Sequence, residues 1–403
     1  MNVEINVQLS LFSLLLPVWE TISLFLEPTH FVKLSETCRM GYLVAHSHCI
    51  NKNTPVRLKA RSMVSVERYL AAWGKSLTFR IRIDKSWEMW ESLIIRISRD
   101  FPTALHTIEA KSAPPSTLPP HLCKYVECET QTETAEGLEN IRSAILRYSM
   151  LLVDLNPLTR LKTLDLSFCA AIEDVNCLAN LQKLELANCN QLRDVSSLKN
   201  IKFLNLNNCR NIVDVTQLAN IPELFLHNCT GIQCVGVPML NHNLDMSGCV
   251  ISDVCMLKDV YNLDLSDCPN ISNVDALFGV CRLRLDRTKV KDVSKLGGIP
   301  YLSLRSCVNI TDIRALSGVR VLDLTNCPAI VNVNTLAGLC ELNISSCPLV
   351  RNVQALGGLR TLILNDNPNV RDISALRNCR YLSLAGCTGI KDVSMLGKIT
   401  TTF

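Results

Sequence analysis

The sequence predicts an α/β solenoid, in which short coils stack and each adds one strand to a parallel sheet. A phrase that begins Leu164-Asp165-Leu166-Ser167-Phe168-Cys169 is written twelve times up to Leu396, at steps of 19 or 20 residues. The Leu-x-Leu pair alternates apolar and polar residues, which is typical of a strand with one buried face. A strand that returns every 20 residues must stack in parallel on its neighbour, because a hairpin would need antiparallel partners.

Five positions of each copy are predicted to point inward. In the first copy they are Leu164, Leu166, Ile172, Val175 and Leu178, and Pro238 alone replaces Leu in the last of these positions. The Asp that precedes Val175, and its equivalents in later copies, suits a cap on a short turn. A coil this short has room for 3₁₀ or extended turns in its return segment and hardly for a long α-helix.

A cysteine ends the strand in ten of the twelve copies, from Cys169 to Cys387, and Thr288 and Asn367 fill the other two positions. Cysteine is small, is at ease when buried and carries a weak S–H donor. We therefore expect these thiols to be reduced core residues rather than a disulfide framework, although the chain holds 20 cysteines.

Two further features predict a cytosolic or nuclear protein. Asn-x-Ser/Thr sequons at Asn228, Asn270, Asn309 and Asn343 lie on or beside the strands, where glycans would obstruct the outward face. The apolar stretch 9–19 lacks a preceding basic residue and a cleavage site, and it is too short to span a bilayer. We expect no membrane association.

The repeated Cys-x-x-Ile-x-Asp-Val resembles the cysteine-containing leucine-rich repeats of F-box proteins. Its Asp-Val-x-x-Leu tail and short period are similar to internalin-type repeats and to leucine-rich repeat proteins of trypanosomatids. The resemblance covers roughly residues 160–396. It implies a horseshoe or arc with the parallel sheet on the concave face, short convex segments and a small helical N-terminal cap. It also implies that Cys stands where such repeats usually place Asn.

Residues 9–45 have the spacing of amphipathic helices, interrupted at Pro17 and Pro28, and resemble an F-box. In that family the segment docks the chain on the adaptor of a cullin–RING ubiquitin ligase. The matching residues here are Leu16, Pro17, Ile22, Leu26 and Phe31. Trp19, Glu20 and His30 depart from the family pattern. The alternative is a helical cap that seals the open end of the solenoid.

The sequence divides into residues 1–50 (F-box-like), 51–160 (cap and degenerate early repeats with a Pro-rich loop) and 161–403 (about twelve regular repeats). Stretches 77–83, 105–110 and 122–128 alternate like strands of early coils, and 138–150 has helical spacing. Residues 52–82 carry eight basic side chains against Glu67 alone. Because core residues interleave with them, we interpret this run as a solvated helix face.

No catalytic or cofactor-binding constellation is present in the sequence. The cluster His46-Ser47-His48-Cys49 has no second ligand group at a suitable spacing, so no metal site is predicted. The chain also lacks a phosphate-binding loop and a nucleophile elbow. A formal charge of +4 is too small to indicate nucleic acid. We therefore expect a non-enzymatic protein with no cofactor and no small-molecule substrate.

The outward strand positions should carry the function. Their first half is acidic apart from Phe225, which would suit a basic partner segment. The regular pattern breaks at two places, and the candidate partner-binding residues there are Phe225, His227, Arg282, Arg284, Arg287, Tyr301 and Arg305. Arg and aromatic side chains are typical of binding hot spots. The alternative is that Arg284 only pairs with Asp264 on the adjacent strand.

Two functions remain open from the sequence. One is a substrate-recognition subunit of a cullin–RING ubiquitin ligase. The other is a leucine-rich repeat scaffold or regulatory binding protein without a ligase connection.

Overall fold

The computed structural model describes residues 56–59, 79–83, 87, 90–100, 105–396 and 400–402. They fall into two compact units. The first holds the described residues up to Gln131, together with Ala135–Leu146 and Arg160–Thr163; the second holds Thr132–Thr134, Arg147–Thr159 and the residues from Leu164 onward. The predicted adaptor-docking residues Leu16, Pro17, Ile22, Leu26 and Phe31, and the cluster at 46–49, lie outside the described residues.

Parallel strands organise the first unit: β1 Val56–Lys59, β2 Phe79–Ile83, β3 Leu105–Ala110, β4 Val126–Glu129 and β5 Ser143–Ile145. Consecutive strands pair in parallel. Helix α1, Glu91–Asp100, buries Ile94 and Ile97 on one face, and the short helix α2 spans Pro120–Cys123. The predicted strands at 77–83 and 105–110 are therefore confirmed as β2 and β3.

Two local sequence predictions are wrong. Leu122 and Cys123 belong to α2 rather than to a strand, because Pro120 at the first helical position pre-sets the backbone. Residues 138–150 are not helical but contain β5. Leu138, Ile141 and Ala144 are buried and three residues apart, a spacing that a short window cannot distinguish from a helix.

The repeated strands begin at β6 and each is three residues long. They are β6 Thr163–Asp165, β7 Lys183–Glu185, β8 Phe203–Asn205, β9 Glu223–Phe225, β10 Asn243–Asp245, β11 Asn262–Asp264, β12 Arg282–Arg284, β13 Tyr301–Ser303, β14 Val321–Asp323, β15 Glu341–Asn343, β16 Thr361–Ile363, β17 Tyr381–Ser383 and β18 Thr400–Thr402. From β7 to β18 each strand pairs in parallel with the next. The register joins equivalent positions, so Leu184 lies beside Leu204 and Leu204 beside Leu224. The predicted parallel solenoid of leucine-rich repeat type is confirmed.

The return segments hold 3₁₀ turns, as predicted. They span Asn156–Leu158, Asn176–Leu178, Ser196–Leu198, Thr216–Leu218, Cys255–Leu257, Asp275–Gly279, Arg314–Gly318, Asn334–Leu336, Gln354–Gly358, Ser374–Asn378 and Ser394–Leu396. An Asp or Asn side chain before each turn accepts a hydrogen bond from the backbone N–H two residues on, at 2.9 Å for Asp194, 2.8 Å for Asp214 and 2.9 Å for Asn273. These bonds stabilise the carboxylate and lower the pKa of Asp194 and of Asp214.

The inward positions are buried in nearly every coil, and the structure adds one that the sequence reading missed. Leu181, Ile201 and Ile221, three residues after the last predicted position, are at most 2% exposed. In the fourth copy this added position holds Asn241, whose amide donates to the carbonyl oxygens of Leu218 and Ile221. Pro238 replaces the inward Leu of the other copies, and the next residue, Met239, is fully buried in the core instead.

The ten cysteines that end the repeated strands, which we call the column cysteines, take part in an internal row of hydrogen bonds. From Cys189 onward each Sγ donates to the carbonyl oxygen of the residue that follows the strand one coil back: 3.2 Å from Cys189 to Leu166, and the same bond recurs from Cys209 to Cys387. Asn367 makes the equivalent bond to Ile344 at 2.8 Å. Cysteine therefore does in this chain what an Asn amide does at Asn367, as the sequence predicted.

We expect the column thiols to be unreactive in the folded chain, because burial raises the pKa of Cys209 to about 11 and of Cys268 to about 12. Cys234 and Cys255 are exposed. With a thiol-reactive disulfide reagent and peptide mapping, these two should be modified first among the cysteines of the described residues, and the column cysteines only after unfolding. A Cys234→Ser variant is the control. Column labelling as fast as at Cys234 would contradict the buried row.

Candidate protein-binding surface

The outward side chains of the repeated strands form what we call the strand face. It has three rows, set by the strand register: the first residue of each strand, the third residue, and the residue two further on. On β9 these are Glu223, Phe225 and His227, and on β12 they are Arg282, Arg284 and Asp286. Because equivalent residues lie side by side, substitutions in one row are neighbours on the surface.

Many carboxylates of the strand face serve the fold. Asp165 is 6% exposed and accepts hydrogen bonds from Arg147 and from the backbone N–H of Ser167. Lys183 pairs with Glu185 at 2.8 Å. The carboxylates of the first two copies are therefore neutralised within the chain, and the residues available to a partner lie further along.

The predicted arginines are exposed and mostly paired. Arg284 lies 3.4 Å from carboxylate oxygens of both Asp264 and Asp286. Arg287 makes a two-pronged contact with Asp267, and Arg305 lies 3.9 Å from Asp323. The cross-strand pairing that the sequence offered as an alternative for Arg284 is thus present. Exposed pairs of this kind contribute only about 0.2–1 kcal/mol each, so they leave the guanidinium groups able to exchange partners.

Aromatic rings support the same region. The guanidinium of Arg282 lies over the ring of Tyr301, 4.5 Å from its centroid, and among the described residues no carboxylate pairs with Arg282. One residue before β10 and β11, the rings of His242 and Tyr261 stack at 4.6 Å. The sequence reading missed this pair because it considered only strand residues. The signal was present, since Gln182 and Lys202 stand at the same position in earlier coils.

A shallow depression joins the two breaks in the repeat pattern. It has a volume of about 200 Å³ and crosses β9 to β12. Its lining residues are Phe225, Asn243, Leu244, Asp245, Asn262, Leu263, Asp264, Arg282 and Arg284. The sequence treated Phe225 and the arginines as separate places, but the register brings them to one site. We call these lining residues, with His227, His242, Tyr261, Tyr301 and Arg305, the central patch.

Side-chain hydrogen bonds fix one carboxylate of the central patch. Ser247 donates both its backbone N–H and its hydroxyl to Asp245 Oδ1, at 2.9 and 2.5 Å. Ser247 Oγ also lies 2.7 Å from His227 Nδ1. Since the single hydroxyl proton goes to Asp245, the imidazole must supply the proton of the second bond. In this arrangement His227 Nδ1 donates to Ser247 Oγ.

Three solved structures can be set beside this geometry. Listerial internalins are among the structures that the chain resembles. An internalin of Listeria monocytogenes is 22% identical, with 66% of this chain and 87% of that chain covered and a TM-score of 0.41. The functional domain of InlJ from Listeria monocytogenes, which includes a cysteine ladder, is 17% identical over 67% of this chain and 65% of that one, with a TM-score of 0.42.

A leucine-rich repeat protein of Leptospira interrogans is 16% identical, with 66% of this chain and 91% of that chain covered and a TM-score of 0.39. No protein-family profile matches the chain. No curated protein matches it either. None of these comparisons bears on what the central patch binds.

We find no candidate metal site within the described residues. Within them, no three His, Cys, Asp or Glu side chains are arranged to hold a metal ion. Every helix in the described ranges falls short of the length and apolarity needed to cross a membrane. Among the described residues, the central patch is therefore the candidate functional surface.

Proposed function

We propose that this chain is a protein-recognition scaffold that binds its partner on the strand face through the central patch. The observation that carries the proposal is the depression across β9 to β12, where an aromatic ring, two carboxylates and two guanidinium groups meet. Arg and aromatic residues dominate the energetics of protein interfaces. Strands in parallel register also hold such side chains in fixed positions, which limits the entropy lost on binding.

The dimensions of the depression favour a macromolecular partner. Small-molecule sites are typically roughly 300–1,000 Å³ and enclosed, whereas this depression of about 200 Å³ is open to solvent and fits a single side chain. Acidic groups on β10 and β11 lie beside basic groups on β12, an arrangement that suits a protein surface of mixed charge better than a polyphosphate backbone.

We expect Phe225→Ala, Arg282→Ala and Tyr301→Ala together to weaken partner binding at least about 100-fold, because hot-spot truncations cost about 2 kcal/mol or more each. The measurement is quantitative capture from lysate with the full-length chain as bait, followed by affinity determination for the recovered protein. A triple variant on the return segments, Val213→Ala, Phe278→Ala and Val331→Ala, is the matched control, since these side chains are 58 to 65% exposed. Equal losses in both variants would contradict the proposal.

In its finer form, we propose that the chain is a substrate receptor of a cullin–RING ubiquitin ligase. The support is the F-box-like sequence of residues 9–45 together with the cysteine-containing repeats. The central patch would select the target while Leu16, Pro17, Ile22, Leu26 and Phe31 dock the adaptor. The competing function is a scaffold without a ligase connection. It is favoured by Trp19, Glu20 and His30, which depart from the F-box pattern.

Replacing Leu16, Pro17 and Ile22 by serine should abolish recovery of the adaptor and cullin, because these apolar side chains would form the docking surface. Recovery of proteins bound through the central patch should stay unchanged. Capture with the parent and the triple variant, with circular dichroism as a folding control, makes the measurement. If the parent chain recovers partners but neither adaptor nor cullin, the ligase role is excluded and the scaffold stands.

A further inference from the structure

The central patch carries one carboxylate that the fold does not neutralise. Among the described residues, no cationic group lies within ion-pair distance of Asp245, whereas Asp264 and Asp286 share Arg284. Asp245 Oδ1 is occupied by both donors of Ser247, and no described group bonds Oδ2. The lining holds two carboxylates and two guanidinium groups, but Arg284 pairs with Asp264 and Arg282 lies over the ring of Tyr301, so Asp245 is left without a cationic partner among the described residues.

Phe225 gives that charge an aromatic neighbour. It occupies the same row as Asp245, one strand away, and its ring is half-buried and tilted against Phe203 at 5.2 Å between centroids. A ring face beside an anionic group attracts a cation twice, through the quadrupole of the ring and through the charge. Packing against Phe203 also fixes the position of the Phe225 ring before a partner binds.

Asn262, which lines the same depression, has a side-chain acceptor to which no described group donates. The side-chain oxygen of Asn262 is buried and has no hydrogen-bond partner among the described residues, while its amide nitrogen donates to Asn243. A buried acceptor without a donor is costly, and a ligand that supplies an N–H relieves that cost. Carboxylate, amide oxygen and aromatic ring together call for a cation with several N–H donors.

We propose that this depression takes a basic side chain, arginine in preference to lysine, from an extended segment of the partner protein. The inference rests on the proposed function and names its partner chemistry. A planar guanidinium stacks on a ring and has five N–H donors, while an ammonium has three and no flat face. The row of outward residues on either side would contact the rest of the segment.

The chain itself supplies the variants that test this. Asn343 and Ser345 repeat the bonds of Asp245 and Ser247 with an amide in place of the carboxylate, at 3.0 and 2.7 Å. Asp245→Asn should therefore fold and lose only the charge. Ile363 stands in the row of Phe225, so Phe225→Ile keeps an apolar residue and removes the ring. Asp259→Asn is the matched control, because it also removes one negative charge but lies at an exposed position of the return segment.

The probe is a display library of random 12-residue peptides, selected on the full-length chain. We expect enrichment of arginine at one position of the selected peptides. In the tightest of them, replacing that arginine by neutral citrulline should weaken binding about tenfold or more on the parent chain and on Asp259→Asn, as expected for a desolvated charge pair. On Asp245→Asn the same replacement should have little effect, because the charge it pairs with is gone. Phe225→Ile should weaken the arginine peptide more than the citrulline peptide.

The outcomes separate this inference from the function on which it rests. A library that yields no arginine enrichment, or a citrulline cost that is equal on the parent and on Asp245→Asn, overturns the basic-side-chain proposal. Selected peptides that still lose affinity on the variant carrying Phe225→Ala, Arg282→Ala and Tyr301→Ala would leave the strand face as the binding surface. Peptides unaffected by both sets of substitutions would overturn both.

Discussion

Replacing Asn367 by alanine is expected to destabilise its coil by about 3 kcal/mol, because buried polar groups left without partners cost about 1–3 kcal/mol each. Asn367 is fully buried. Its amide donates to the carbonyl oxygens of Ile344 and Leu364, both at 2.8 Å, and its oxygen accepts the backbone N–H of Cys347 at 2.9 Å. Alanine removes all three bonds and leaves a small cavity, although the Leu364 oxygen keeps the thiol of Cys387 as a donor.

The chain provides the matched control in Asn367→Cys, which installs the residue used by ten other coils. The thiol can donate to Ile344 as Cys387 does to Leu364, at 3.0 Å. Because two of the three bonds are lost and one is kept, we expect it to cost about 2 kcal/mol, less than alanine. Hydrogen exchange at amides of the flanking coils measures both, since a solenoid can open locally. Cysteine as costly as alanine would show that the thiols do not replace the amide.

Replacing Gly297 by alanine is expected to destabilise the solenoid by about 3 kcal/mol, the upper range for overpacking against unyielding neighbours. A Cβ at this position would lie 2.1 Å from the carbonyl oxygen of Ala315 in the next coil. Because the obstacle is backbone, no rotamer change relieves it. The two coils would have to separate, with loss of packing between their return segments.

Gly298 is the control at the adjacent position. A Cβ there meets nothing within 4 Å, so Gly298→Ala should be neutral or slightly stabilising. Urea denaturation followed by circular dichroism distinguishes the two variants by their midpoints. Equal midpoints would mean that the return segments are packed more loosely than the structure describes.

The repeat phrase was sufficient to predict the fold, because inward positions at a constant period admit one way of stacking. The backbone conformation of the turn residues was harder to predict. Phe168 and Tyr148 adopt φ values of 66° and 61°, where later coils place Asn, Asp, Gly, Ser or, at Arg287, Arg, and their rings stack at 4.7 Å. Contact between coils offsets the backbone strain of a bulky residue in this region, and such contact cannot be read from a single copy.

The candidate site was predicted in its parts and not in its arrangement. Phe225 and Arg284 were identified as breaks in one row, but the distance between them follows from register across four strands. Which carboxylates remain available depends on cross-strand ion pairs such as that of Arg284 with Asp264. His242 and Tyr261 lie just before their strands and belong to no row that the repeat phrase defines.

Hydroxyl-radical footprinting of the full-length chain, free and with its captured partner, tests the central claim most directly. Partner binding should protect the side chains of Phe225, His227, Tyr261 and Tyr301. Phe278, 65% exposed on a return segment, should be oxidised equally in both states. Protection of Phe278 with continued oxidation of Phe225 and Tyr301 would contradict recognition through the central patch.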